Sequence, residues 1–281
     1  ILSAWGLRRF KNKVKRFSAA LMLSDFDQVL YEGMMEALGY DKNKHNLLSL
    51  AQAVPLSDIR SWQRERVSAL ELVEILCCSS GLLDRCGKQL DERLQQLLTQ
   101  AYERQSFFAR KLQIDWQLFR IRPLSHPIYR IFAMASLIYK TAEQGLMEFF
   151  LERVLKDKAD GKKVFKTFAG IFADAVMPGT EKLPRPGEGL IANIYVNIFL
   201  PVSYMYCDKH SDNETRERII RYYSGFPALQ ENHVTRFMAR YLSPTHQRAV
   251  NGKTLLQQGL MEIFHRYCRH HLCAECHADK P

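Results

Sequence analysis

Apolar residues along this chain recur at helical spacing almost throughout. Leu7, Phe10, Val14, Phe17 and Leu21 follow a 3-4-3-4 pattern, which places one apolar stripe on one face of a first helix. Ser24 reads as the cap of a second helix, with Asp27 three residues on as a capping-box variant and Gly39 at the end. Residues 43–53 read as helix and stop before Pro55, and Ser57 caps a short turn that reaches Trp62. Leu70, Val73, Leu76 and Cys77 define an apolar helix over 66–79, closed by Gly81, and 90–111 reads as the longest helix. A connector runs from Trp116 to Pro127, where Pro127 suits the first turn of a helix extending to about Ala142. Helices over 146–156 and 161–175 come next. The stretch from Met177 to Gly189, with three prolines and three glycines, reads as a loop.

Leu190 to Tyr206 is rich in β-branched and aromatic residues, so propensity alone favours a strand. Its 17 residues exceed the usual strand length and no partner strand is visible, so it reads as a buried helix. Asn193, Asn197 and Pro201 then share one face. Pro201 cannot donate to the carbonyl of Asn197, which predicts a kink, with an Asn amide placed to satisfy the freed group. The stretch is too short and too polar for a membrane-spanning helix. The remaining helices are expected over 212–224, 229–241 and 253–270, and no tandem repeat is evident. The expected fold is therefore all-α, an irregular multi-helix array of about ten to twelve helices with no substantial sheet. It is read as one helical domain over 1–281, with the loop 177–189 as the place for any subdivision.

Charge changes this picture from fold to function. Forty Lys and Arg against thirty Asp and Glu give a net charge of +10, which favours polyanionic partners. Arg8, Arg9, Lys11, Lys13, Lys15 and Arg16 crowd the first helix as a solvated or phosphate-contacting face. In the connector, Arg120, Arg122, His126 and Arg130 surround two prolines that stiffen the turn, an arrangement suited either to an anion or to internal carboxylates. Glu231, Asn232 and His233 open a late helix, where polar residues ordinarily cap.

The most specific chemistry lies at the C-terminus. Cys268, Cys273 and Cys276 form a Cys-x4-Cys-x2-Cys run, a spacing used by some iron–sulfur clusters and equally by zinc sites. His277 is the nearest further donor, with His265, His270 and His271 close in sequence. Cys207, Cys78 and Cys86 are distant candidates, and Cys207 stands out because it follows Pro201. Free thiols or a disulfide are the alternatives. Seven cysteines at irregular spacing, with Cys77 and Cys78 adjacent, point to a reducing compartment, read as the cytoplasm.

No phosphate-binding loop, dinucleotide fingerprint, GxSxG or HExxH motif occurs, so the chain by itself reads as a non-enzyme.

Several stretches together resemble an uncharacterised bacterial family, domain-of-unknown-function family 2851. They are residues 36–56, 75–84, 116–138, 193–206, 226–238 and 267–276. Ser80 and the pair Ser125-His126 depart from the residues expected there. The resemblance implies similarity to the C-terminal helical half of longer proteins, whose N-terminal part resembles a nuclease-type domain. With Ile1 as first residue, the chain reads as a fragment lacking that part. Two functions follow as expectations. One is the accessory half of a nucleic-acid-associated protein with a structural zinc or iron–sulfur clip. The other is a scaffold docking an acidic partner domain. The missing N-terminal domain is an expected partner, and oligomeric state is left open.

Overall fold

A computed structural model describes residues 1–64, 68–82, 85, 90, 92–104, 112–175 and 183–276. The fold is all-α, an irregular array of helices. Among the described residues the only strand-like pairing is a single bridge between Pro227 and Lys253. The chain divides into two compact units, and both are discontinuous in sequence. The first comprises Ile1–Leu23, Asp157–Phe165 and Tyr195–Pro281; the second comprises Ser24–Lys156 and Lys166–Ile194. Of the loop predicted over 177–189, residues 177–182 lie outside the described residues, 183–187 belong to the second unit without helix, and 188–189 already open a helix.

The first unit is organised by α1 (Leu2–Leu21), which packs most extensively on α15 (Thr254–Arg266) and also against α11 (Leu200–Lys209). The predicted stripe on α1 faces inward, with Phe10 and Phe17 buried. Phe10 meets Tyr223 of α12 (Asn213–Gly225) with ring centroids 4.7 Å apart, and the Tyr223 hydroxyl donates to the Gly6 carbonyl at 3.0 Å. Helix backbones approach closely here. A side chain at Gly6 would press into the Leu255 carbonyl, and one at Gly259 into the Leu2 carbonyl. The unit is completed by α13 (His233–Ala239) and α14 (Pro244–Gly252). Three expectations need correction here. The predicted helix 229–241 shrinks to α13, because Asn232 caps it by accepting from Thr235 N at 3.0 Å. The helix predicted over 253–270 ends at Arg266. And α14 was not anticipated, although Ser243 and Pro244 supply its cap and first turn.

Leu190 to Tyr206 is helical, as its length predicted, within a continuous helix from Glu188 to Lys209. That helix is long and apolar enough to cross a membrane, yet 72% of its apolar window is buried inside the protein, as in a core helix. Tyr195–Phe199 forms a π-helical turn just before Pro201. Such a widened turn accommodates a residue with no N–H to donate and a ring that crowds the carbonyl four residues back. The Asn197 side-chain oxygen accepts from the Lys13 ammonium.

The second unit contains α2 (Phe26–Leu38), α3 (Tyr40–Ala53), α4 (Leu56–Arg64), α5 (Ala69–Ser80), α6 (Glu92–Arg104), α7 (Pro127–Lys140), α8 (Leu146–Phe150), most of α9 (Gly161–Asp174) and α10 (Glu188–Ile194). The cap of α2 is Asp25, which accepts from Gln28 N at 2.8 Å, and not Ser24. Asp27 does different work. Its carboxylate accepts from Met147 N at 2.6 Å in the first turn of α8 and pairs with Arg60 of α4. Gly145, at φ 91°, lies beside it, where a side chain would collide with the carboxylate. A short-range cap expected from sequence is thus a long-range cap in the structure. For the helix predicted over 90–111, Glu92–Arg104 is helical and 105–111 lies outside the described residues.

Candidate functional site

The excess of positive charge is confined to one unit. The first unit holds twenty Lys and Arg against ten Asp and Glu, and the second holds twenty of each, so the whole net +10 belongs to the first. On α1, Arg8, Lys11, Lys15 and Arg16 are exposed, at steps that keep them on the solvent side of the helix, and α1 carries no acidic residue. Arg266 and Arg269, at and beyond the end of α15, are exposed in the same unit. The Arg8 and Arg266 guanidinium carbons lie 5.0 and 5.9 Å from the Trp5 ring centroid, and Trp5 meets Tyr267 edge-on at 5.8 Å.

Arg9 and Lys13 depart from the expected basic face. They sit on the side of α1 that packs on α15. Arg9 Nε donates to Gln258 Oε1 at 2.8 Å, and its Nη1 lies 3.5 Å from Glu262 Oε2. Lys13 donates to Gln258 Oε1 at 2.8 Å and to Asn197, while Asn12 donates to Glu262 Oε1 at 2.7 Å. Burial pushes the Lys13 ammonium well below the usual lysine range; Arg9 and Arg16 add to this and Glu262 opposes it. This polar network fastens α1 to α15.

The connector residues separate into two pairs. Arg120 and Arg122 are exposed, and Arg120, at φ 54°, lies 5.0 Å over the ring of the exposed Phe119. His126 and Arg130 are buried, at 6% and 7% exposure. His126 caps α7, with Nδ1 accepting from Ile128 N at 3.3 Å. The four therefore do not form one exposed anion site. The connector is held by residues that sequence reading passed over. Asn43 exchanges hydrogen bonds with the Gln117 backbone at 3.0 and 3.2 Å, and Trp116 Nε1 donates to the Ser80 carbonyl at 2.8 Å. The sequence signal was faint, a polar side chain in a predicted helix; the structure adds non-helical backbone at Asn43 itself.

The cysteine run folds into a tight reversal. Tyr267 accepts from Leu272 N at 3.1 Å and Cys268 from His271 N at 3.2 Å, with His271 left-handed at φ 57°. This pairing is a Schellman turn built on a non-glycine residue. Cys273 to Cys276 then form one 3₁₀ turn, which brings residues three apart onto one side. Cys268 and Cys276 both pack against the cluster of Val234, Met238, Val250, Leu260, Ile263 and Tyr267. Burial raises the Cys268 thiol, and Cys276 and then Cys273 raise it further, as expected for neighbouring thiols. As placed, however, no three His, Cys, Asp or Glu side chains among the described residues form a group that could hold a metal ion. Soft thiolates suit zinc or iron. Cys207 is buried beside Asp212, Arg216 and Arg218. His277 lies outside the described residues, as does Cys86. Asn232, considered with Glu231 and His233 as a polar cluster, is the cap of α13.

Two helical units, one carrying all the excess positive charge, define an all-α protein with a basic helical unit. The chain belongs to the family described as "Protein of unknown function (DUF2851)", whose family model matches residues 1–233. The matched residues end at His233, so the cysteine run lies beyond them. No curated protein matches the chain, and no solved structure does.

Proposed function

We propose that the chain is the helical accessory part of a nucleic-acid-associated protein, and that its first unit contacts the phosphate backbone. The observation that carries this reading is the segregation of charge: +10 on one unit and zero on the other. Arg8, Lys11, Lys15 and Arg16 on α1 supply sequence-independent phosphate contacts. Arg9 and Lys13 are engaged with α15 and drop out of the contact set. Arg120 and Arg122 lie on the neutral unit and contribute at most locally.

Binding of a fluorescent duplex, DNA or RNA, of about 20 base pairs is expected to weaken linearly in log–log with salt, each phosphate contact adding about 0.9 to the slope. Replacing Arg8, Lys11 and Lys15 together by Glu is expected to lower affinity at least tenfold and flatten that slope, measured by anisotropy. Absence of binding at about 50 mM salt would overturn the reading. The second reading, docking of an acidic protein domain, draws support from Phe237 and Tyr241, which are 40% and 75% exposed on the same unit. It predicts that nucleic acid does not compete with that partner.

The C-terminal clip remains part of the proposal in a restricted form. Cys268, Cys273 and Cys276, with His277 as the nearest further donor in sequence, would hold a zinc ion or iron–sulfur cluster. Its supply would be structural, pinning the end of α15.

A further inference from the structure

The second unit holds a buried cation with no counter-charge among the described residues. Arg130 lies on α7 with only 7% of its surface exposed. Its Nη1 is sealed from solvent and has no hydrogen-bond partner. Among the described residues Arg130 makes no ion pair, ring contact or other hydrogen bond. Burial depresses its pKa and no carboxylate offsets that effect. Helix α5 packs against α7 and carries the buried Glu74, yet Glu74 does not offset the burial of Arg130. An isolated buried charge is strongly unfavourable unless something pairs with it. A guanidinium cannot escape by releasing its proton at any ordinary pH.

The surroundings define what would pair with it. Side chains on a helix lean toward its N-terminus, and His126, the cap of α7, lies four residues before Arg130, a spacing that puts the two on one side of the helix. His126 is itself buried, and its Nδ1 accepts from Ile128 N. A neutral ring accepting at Nδ1 carries its proton on Nε2, which makes Nε2 a donor. The place therefore offers one full positive charge and one neutral donor. A singly charged oxyanion balances it. A phosphate dianion would leave a buried negative charge in excess.

We propose that His126 and Arg130 form a buried binding site for a carboxylate group, with the planar guanidinium fork taking the two oxygens and His126 Nε2 adding a third hydrogen bond. The site is independent of the nucleic-acid reading, since it lies on the neutral unit. The carboxylate comes either from a small free acid or from an acidic side chain of a bound chain, and the test separates the two.

The test is thermal unfolding of the whole chain with sodium acetate against sodium chloride at equal ionic strength. A parallel arm uses a short peptide with one Glu and its amide counterpart with Gln. Acetate, or the Glu peptide in preference to the Gln peptide, is expected to raise the Tm of the wild type saturably. Arg130→Met, close in volume and uncharged, is expected to lose that response while melting no lower than the wild type in chloride. Arg130→Lys is expected to retain a weakened response, because it keeps the charge but loses the fork. A response to acetate alone identifies a free acid, and a tighter response to the peptide identifies a side chain. The proposal is overturned if neither probe shifts the wild type. It is equally overturned if inorganic phosphate stabilises more than acetate, or if Arg130→Met melts well below the wild type in chloride.

Discussion

Single residues in this protein carry roles that their local sequence context does not announce. Asp27 looks like the partner in a capping box and instead caps α8 from 120 positions away. His126 looks like one of four members of an anion cluster and instead is a buried cap. Burial holds His126 below its ordinary value of 6.5, and His265 is lowered by burial and by Arg9. The sign of the consequence follows from linkage. A base whose folded pKa is depressed takes up its proton more readily in the unfolded chain, so its contribution is complete above pH 6.5 and is lost as pH falls from there toward the folded value. His126→Asn keeps a capping acceptor and does not titrate. The variant's unfolding free energy, from urea melts, is expected to fall less steeply than that of the wild type below about pH 6.5. Identical pH profiles would exclude His126 as a contributor.

At the scale of elements, most helix positions were legible because apolar periodicity is a local property. The stripe on α1, the buried course of Leu190 to Tyr206 and the Gly81 stop, at φ 64°, all follow from residues near one another in sequence. Helix pairing was not legible. Gly6 and Gly259 are far apart in the chain, and only the packing of α1 on α15 shows why each is glycine. Gly259→Ala is expected to lower stability by about 2–3 kcal/mol, since the methyl meets backbone that cannot step aside. A urea midpoint unchanged from the wild type would show that the two helices part more easily than their contact implies. The C-terminal turn is also an element decided by packing. Cys273 is exposed, Cys268 and Cys276 are half-buried, and Cys77, Cys78 and Cys207 are buried, with the Cys78 and Cys207 thiols pushed up to about 11. Maleimide labelling mapped by mass spectrometry is expected to modify Cys273 first, Cys268 and Cys276 more slowly, and the buried three only on unfolding. Should Cys273 stay protected until a chelator is added, a bound metal would be holding it.

At the scale of the whole molecule, the informative quantity is where charge goes. The sequence shows +10 spread over its length, a pattern compatible with a merely basic surface. The division into units assigns all of it to the unit made of residues 1–23, 157–165 and 195–281, and leaves the other unit balanced. The expected salt dependence of nucleic-acid binding belongs at this scale, since it depends on the summed field of one unit rather than on any one arginine. It also shows why a cationic residue is a poor guide by itself. Arg9 and Lys13 are consumed by a packing network, and Arg130 is buried with its Nη1 unsatisfied, while Arg8 and Lys11 face solvent.

The sequence by itself determined the helical class, the approximate course of most helices, the family resemblance and the kinds of residue able to bind anions or metals. Those properties depend on composition and on spacing within a few turns. Tertiary structure decided which cations are free, which histidine is buried and which thiols are accessible. It also decided that Cys268 and Cys276 pack against one apolar cluster, and that no group of three potential metal ligands forms among the described residues. Each of these rests on contacts between segments up to about 250 residues apart, such as Arg9 with Gln258 and Gly6 with Leu255. Periodicity within a helix specifies a face, but it does not specify what that face will meet.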